Sequence, residues 1–136
     1  MKVIFPFVEE RARIVEKIKR PYVQVTLINN KNKVTQWMYM DSGADITLIP
    51  FSVGKFLGFE LKKDEEIRRI GGIGGGKVPV VLRKVRMRIG TKELKTRIAW
   101  CLDEDVPLIL GRLYVFDNFK ITLDQKESVI IFEEKK

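Results

Sequence analysis

The chain has 136 residues, a length that fits one domain spanning 1–136, and 45% of them are hydrophobic, enough to bury a core. It carries a net charge of +8, one cysteine and no histidine. Those counts exclude an internal disulfide, a His-ligated or structural zinc site, and Ser-His-Asp or Cys-His catalysis. An enzyme of this sequence would work with carboxylates, Lys or Tyr.

No run approaches the ~20 apolar residues that span a bilayer. The opening stretch MKVIFPFVEERAR is broken by Pro6 and followed at once by charges, too short for a signal peptide. The expectation is a cytoplasmic protein without a membrane segment. KVIFPFV is a candidate strand, and RIVEKIK is either a strand or a helical turn. YVQVTLI (22–28) alternates and is β-branched, Asn29 to Asn32 form a turn cluster, and VTQWMYM (34–40) returns as the partner strand. DSGAD breaks the pattern. FSVGKFLGF (51–59) reads as a short helix after Pro50, since proline suits a helix start.

EIRRI and KVPVVLRKVRMRI flank a glycine cluster as two extended arms, and Pro79 implies a free edge in the second. ELKTRIAWCL (93–102) is another strand, VPLIL (106–110) a short buried one, RLYVFDNF (112–119) one or two helical turns, and KITLD with SVIIF a closing hairpin. Many short strands with turn signals point to an all-β barrel or sandwich.

Ten of the 26 basic residues fall between Arg68 and Arg97. In LRKVRMRIG, Val85, Met87 and Ile89 share one face of a strand and Lys84, Arg86 and Arg88 the other. That alternation reads as the solvated outer face of a sheet. A nucleic-acid site would want aromatics interleaved with the cations. Trp37, Tyr39, Phe51, Phe56 and Phe59 all precede the basic stretch, so no nucleic-acid partner is expected.

Two stretches carry chemistry. In RRIGGIGGGKVPVV, five of the ten glycines lie between Gly71 and Gly76, and Gly71-x4-Gly76-Lys77 nearly spells a phosphate loop. The next residue is Val78, which offers no hydroxyl to Mg²⁺, and strand-like sequence follows where a phosphate loop needs a helix N-terminus. The nucleotide reading fails on both counts. In YMDSGADITLIP, Asp41 ends an apolar strand and enters a loop of small residues, a partly desolvated setting suited to a working carboxylate. Taken alone, Asp41 reads better as a loop-end aspartate closing an Asx-turn.

Three features in order, MDSGADITLIP, then IGGIGGGKV about 30 residues on, then PLILGRLYVF, resemble the retropepsin-like aspartic proteases from about Tyr22 to about Phe132. Residues 1–20 are not placed by the resemblance. It implies a single-domain closed β-barrel of the acid-protease type with a flap hairpin and one or two short helices. The glycines become the flap tip, where backbone must take unusual φ, move on closing, and pair with an extended substrate.

The family's chemistry needs two carboxylates sharing one proton, and this chain has one D-[ST]-G. The resemblance therefore implies a homodimer that joins two copies of Asp41, with a polypeptide substrate and no cofactor or metal. Asp41, Ser42 and Gly43 become the catalytic motif, Ser42 tying the two loops across the dimer axis. Ala44, Asp45, Gly71, Gly72, Ile73 and Ile109 become the substrate-binding set, with Ile73 the apolar contact at the flap tip. Asp45 and Arg112 match positions that pair near the interface. SVIIFEE and KVIFPFV are apolar enough to build the interleaved terminal sheet of the family. A peptide- or partner-binding domain of the same fold that does not cut remains the alternative.

Overall fold

In a computed structural model of the chain, residues 1–11, 17–73 and 76–135 are described. The strands are β1 (Lys2–Pro6), β2 (Val8–Glu10), β3 (Ile18–Arg20), β4 (Tyr22–Asn29), β5 (Asn32–Met40) and β6 (Thr47–Ile49). After the helix α1 (Phe51–Phe56) come β7 (Arg68–Ile73), β8 (Gly76–Ile89), β9 (Lys92–Cys101) and β10 (Ile109–Leu110). A 3₁₀ turn (Phe116–Asn118) precedes β11 (Phe119–Asp124) and β12 (Val129–Glu134). Of RIVEKIK (13–19), residues 13–16 lie outside the described set, and Ile18–Arg20 is strand.

The large sheet closes on itself. Its order β4-β5-β10-β6-β9-β8-β7, with a further β4–β8 pairing, makes a six-stranded ring from which β7 projects. Closure removes the free edges that an open sheet would expose. Alternation dictates which side chains fill it. Val23, Val25 and Leu27 of β4 and Val85, Met87 and Ile89 of β8 point into one core with Met38, Leu57 and Trp100. A smaller cluster of Leu48, Val80, Ala99, Cys101 and Ile109 lies beside the site described below.

Local chemistry explains the joints. Asn30 turns the chain at φ 55°, a conformation that asparagine tolerates. Asn29 and Asn32 then donate side-chain amides to the Leu57 carbonyl at 2.9 and 3.0 Å, tying this turn to the end of α1. Inside α1, Gly54 lets the Trp100 indole pack against backbone, because a Cβ there would sit 2.1 Å from Trp100 Nε1. That indole N–H donates to the Phe51 carbonyl at 3.0 Å.

Two expectations change in detail. Pro79 is not on an open edge, since it pairs with Arg69 of β7 while its carbonyl accepts from the Leu102 N–H at 2.9 Å. Its missing N–H is tolerated because β9 has ended at Cys101 on that side. The chain ends do form a sheet, but within the chain: the order β1-β12-β11 leaves β12 hydrogen-bonded on both sides. SVIIFEE therefore has no free edge to offer, and an interleaved sheet would have to start from β1 or β11.

Candidate active site

The site is built where three pieces of chain cross. β5 runs out at Met40, pairing with Leu110 of the short strand β10. The Asp41 N–H continues the pairing by donating to the Leu110 carbonyl at 3.1 Å. The loop then turns on itself. Asp41 Oδ1 accepts the Gly43 N–H at 2.9 Å, and the Asp41 carbonyl accepts the Ala44 N–H at 3.1 Å. This is the Asx-turn that asparagine and aspartate favour. It fixes one carboxylate oxygen of a half-buried side chain.

The second loop docks on the first through backbone. Arg112 N–H donates to the Ala44 carbonyl at 2.9 Å and Leu113 N–H to the Asp45 carbonyl at 2.8 Å. Between them, Gly111 lies so close to Ile46 that a Cβ would stand 2.3 Å from the Ile46 carbonyl carbon. Only glycine allows that approach. The Gly111 N–H donates to Thr47 Oγ1 at 3.1 Å, and Thr47 is 1% exposed. Gly111 and Thr47 were missed as site residues. Their signal was present, in the glycine of LILGR and in a lone hydroxyl within the buried run Thr47-Leu48-Ile49.

A cleft of about 320 Å³ opens above this floor, lined by Asp41, Gly43, Ala44, Asp45, Ile70, Gly71 and Ile109 together with Ile46 and Leu48. Six expected site residues thus meet in one hollow. Gly71 reaches it from the glycine-rich hairpin β7–β8, whose register shifts between Ile70 and Ile73. The tip, Gly74 and Gly75, and the side chain of Ile73 lie outside the described residues. Gly72 belongs to β7 beside Gly71, and Ser42 is exposed at the loop's outer end.

The expected Asp45–Arg112 ion pair is not formed. Their loops are joined by main-chain bonds, and the Arg112 guanidinium lies over the Phe116 ring, 6.0 Å from its centroid. The 3₁₀ turn at Phe116–Asn118 presents that ring, which draws the cation by its π face.

Cys101 is buried, and burial pushes its thiol above the usual range, away from the thiolate a nucleophile requires. Among the described residues, no group of three or more His, Cys, Asp or Glu side chains could hold a metal ion. No helix among them is long and apolar enough to cross a membrane.

Among solved structures, the chain is similar to a retropepsin-like aspartic protease from Rickettsia conorii. The match has a TM-score of 0.68 and 22% identity, covering 96% of this chain and 98% of that one. The chain has the retropepsin fold. The EIAV protease, complexed with the inhibitor HBY-793, is also similar, with a TM-score of 0.54 and 28% identity over 69% of this chain and 83% of the other. No protein-family model and no curated protein matches the sequence. The Rickettsia match spans nearly the whole chain, so the retropepsin fold extends into the N-terminal region that sequence motifs left unplaced.

Proposed function

We propose that the protein is an aspartic endopeptidase that works as a homodimer, with one Asp41 from each subunit. The observation that carries this reading is Asp41 itself. It is half-buried, it is held by the Gly43 N–H, and it lines a cleft roofed by a glycine-rich hairpin.

Two carboxylates a few ångströms apart cannot both ionise, so the pair shares a proton. One carboxylate takes a proton from a water that attacks the peptide carbonyl. The other protonates the carbonyl oxygen, giving a neutral tetrahedral diol. The first then passes its proton to the amide nitrogen while the second takes one back from a diol hydroxyl, so that the C–N bond breaks, the amine leaves and the pair again holds one proton. A two-fold axis beside Asp41 supplies the second carboxylate, because the two copies of one patch then face each other. Ser42 links the two loops across that axis. The main chain of Gly43, Ala44 and Asp45 and the hairpin residues Gly71, Gly72 and Ile73 receive an extended substrate, the hairpin acting as a flap. Ile109, Ile70 and Leu48 give the cleft apolar walls, which fits large hydrophobic side chains beside the cleaved bond. Arg112 supports the loop from behind through its backbone bond to Ala44.

The test is cleavage of a denatured protein mixture across about pH 4 to 8, a span that crosses a dyad titration. Wild type is compared with Asp41→Asn, with the oligomeric state of both followed by light scattering. The expected result is cleavage by a wild-type dimer, falling on dilution as the dimer dissociates, and none by a dimeric Asp41→Asn. Equal cleavage by both would sink the assignment. A monomer that cleaves would remove the dimer and turn attention to Asp45, the other carboxylate lining the cleft.

A further inference from the structure

One face of the β8–β9 ribbon changes character along its length. The two strands run in unbroken register from Val80 opposite Cys101 to Ile89 opposite Lys92. Toward the cleft this face is apolar, with Val80, Leu82, Ala99 and Cys101 in the cluster that holds Leu48 and Ile109. Further along the same face, Lys84 stands opposite Arg97 and Arg86 opposite Lys95, all four exposed. Like charges directly opposite on a sheet destabilise it. Two such pairs in succession are a cost with no structural return. Arg86 is relieved by Glu93 at 3.2 Å, while among the described residues Lys84, Lys95 and Arg97 make no ion pair.

These four cations line a groove of about 480 Å³ together with Asn29, Asn30, Tyr114 and the buried Ile28, Val85 and Thr96. A neighbouring hollow shares Asn29, Asn30 and Lys84 and adds Lys62, Lys63 and Arg83 beside one acid, Glu60. No acidic side chain lines the first groove.

We propose that this groove docks an acidic segment of the polypeptide substrate, outside the catalytic cleft. Same-face residues of a strand repeat every ~6.6 Å, the same spacing as alternate side chains of an extended peptide. Acidic residues at alternate positions therefore meet Lys84 and Arg86, or Arg97 and Lys95, in step. The groove begins four residues along β8 from Val80, about 13 Å at the rise of a strand. Val80 packs with the cleft-lining Leu48 and Ile109, so an extended chain that leaves the cleft past Val80 spans the distance in about four residues. Tyr114 is the one aromatic among the lining residues, whereas single-stranded nucleic acid asks for several stacking platforms along a basic track. Because docking occurs away from the reacting bond, it strengthens ground state and transition state alike. It lowers KM for acidic substrates and leaves kcat unchanged.

The substrate role rests on the peptidase reading; the binding does not. The first experiment follows anisotropy of a labelled peptide of alternating Glu and Ser, with full-length Asp41→Asn protein at low salt. Binding is expected, weakening with salt. Adding Lys84→Glu and Arg97→Glu is expected to weaken it about tenfold or more. Thermal stability should hold, since the two substitutions exchange one like-charge pair for another and set both new carboxylates diagonal to Arg86 and Lys95. Absence of binding at low salt, or binding unchanged by the double variant, overturns the site. Tighter capture of a single-stranded RNA at this groove, lost in the same variant, replaces the proposal with a nucleic-acid site.

The second experiment compares wild type with Lys84→Glu/Arg97→Glu on one cleavable peptide, with and without an acidic tail. The expected result is a higher KM in the double variant for the tailed peptide alone. An equal KM overturns the substrate role. Absence of any cleavage by wild type refutes the peptidase reading while the anisotropy result stands.

Discussion

The floor of the cleft and the segment from Glu60 to Arg68 that leads into the hairpin are held in opposite ways. On the floor, nearly every tie is main chain: Asp41 to Leu110, Ala44 to Asp41, Arg112 to Ala44, Leu113 to Asp45. Gly111 closes the gap with no side chain at all. The leading segment instead hangs on one guanidinium. Arg83 donates to both Glu65 carboxylate oxygens, to the Glu60 carbonyl at 2.8 Å and to the Leu82 carbonyl at 2.9 Å. It also lies over Trp100 and Phe59, 5.5 and 5.9 Å from the ring centroids. The floor is therefore intolerant of added atoms and indifferent to charge. The hairpin's root tolerates changes of shape and depends on ionisation. On the proposed peptidase reading, a carboxylate that has to be placed within a fraction of an ångström would be served by the first arrangement, and a hairpin that closes over substrate by the second.

The sharpest way to break the floor is Gly111→Ala. Its methyl would overlap the Ile46 backbone, which cannot swing aside as a side chain can. The expected loss is at least about 3 kcal/mol of stability, the upper range for overpacking. Denaturant unfolding measures it, and a variant as stable as wild type would mean that the two loops are not in contact. Thr47→Val keeps the shape but removes the acceptor of the Gly111 N–H. Leaving that donor buried and unpaired costs about 1–3 kcal/mol. Equal stability of Thr47→Val would deny the hydrogen bond.

This contrast also explains what was legible in the sequence. Alternation in 22–28, 34–40 and 83–89 placed the strands and their inward faces, because period-2 burial is a local property. The three motifs located Asp41, Gly71 and Ile109, which the fold brings to one cleft. The partners of those motifs were not legible. Thr47 matters only because Gly111 arrives 64 residues later, and Arg83 only because the path of 60–67 brings Glu65 to it. Arg83 occupies the same face as Val85 and Met87, where periodicity alone expects an apolar residue. Its charge becomes tolerable only through that distant partner. The Asp45–Arg112 pairing failed for a related reason. Motif spacing sets backbone proximity, while the guanidinium lies over the ring of Phe116.

The smallest expected effect tests the hairpin's root through pH. The Arg83 guanidinium, bonded to both carboxylate oxygens, holds the Glu65 pKa down to about 2 from its ordinary 4.5. A depressed carboxylate pKa means that the unfolded state binds the proton more readily than the folded state. The stabilisation is therefore full above pH 4.5 and is lost as pH falls toward 2. The pair is partly solvated, so its contribution is set at about 1 kcal/mol after screening. Glu65→Gln removes the titration while keeping a side chain that accepts from Arg83. Subtracting its unfolding free energy from that of wild type at each pH isolates this one group from the other carboxylates. The difference should be present at pH 6 and shrink through the window from 4.5 to 2. A difference that stayed constant with pH would mean that Glu65 titrates alike folded and unfolded. The hairpin would then be rooted by the packing of Arg83 on Trp100 and Phe59 rather than by its charge, and the two regions would differ less than their bonding suggests.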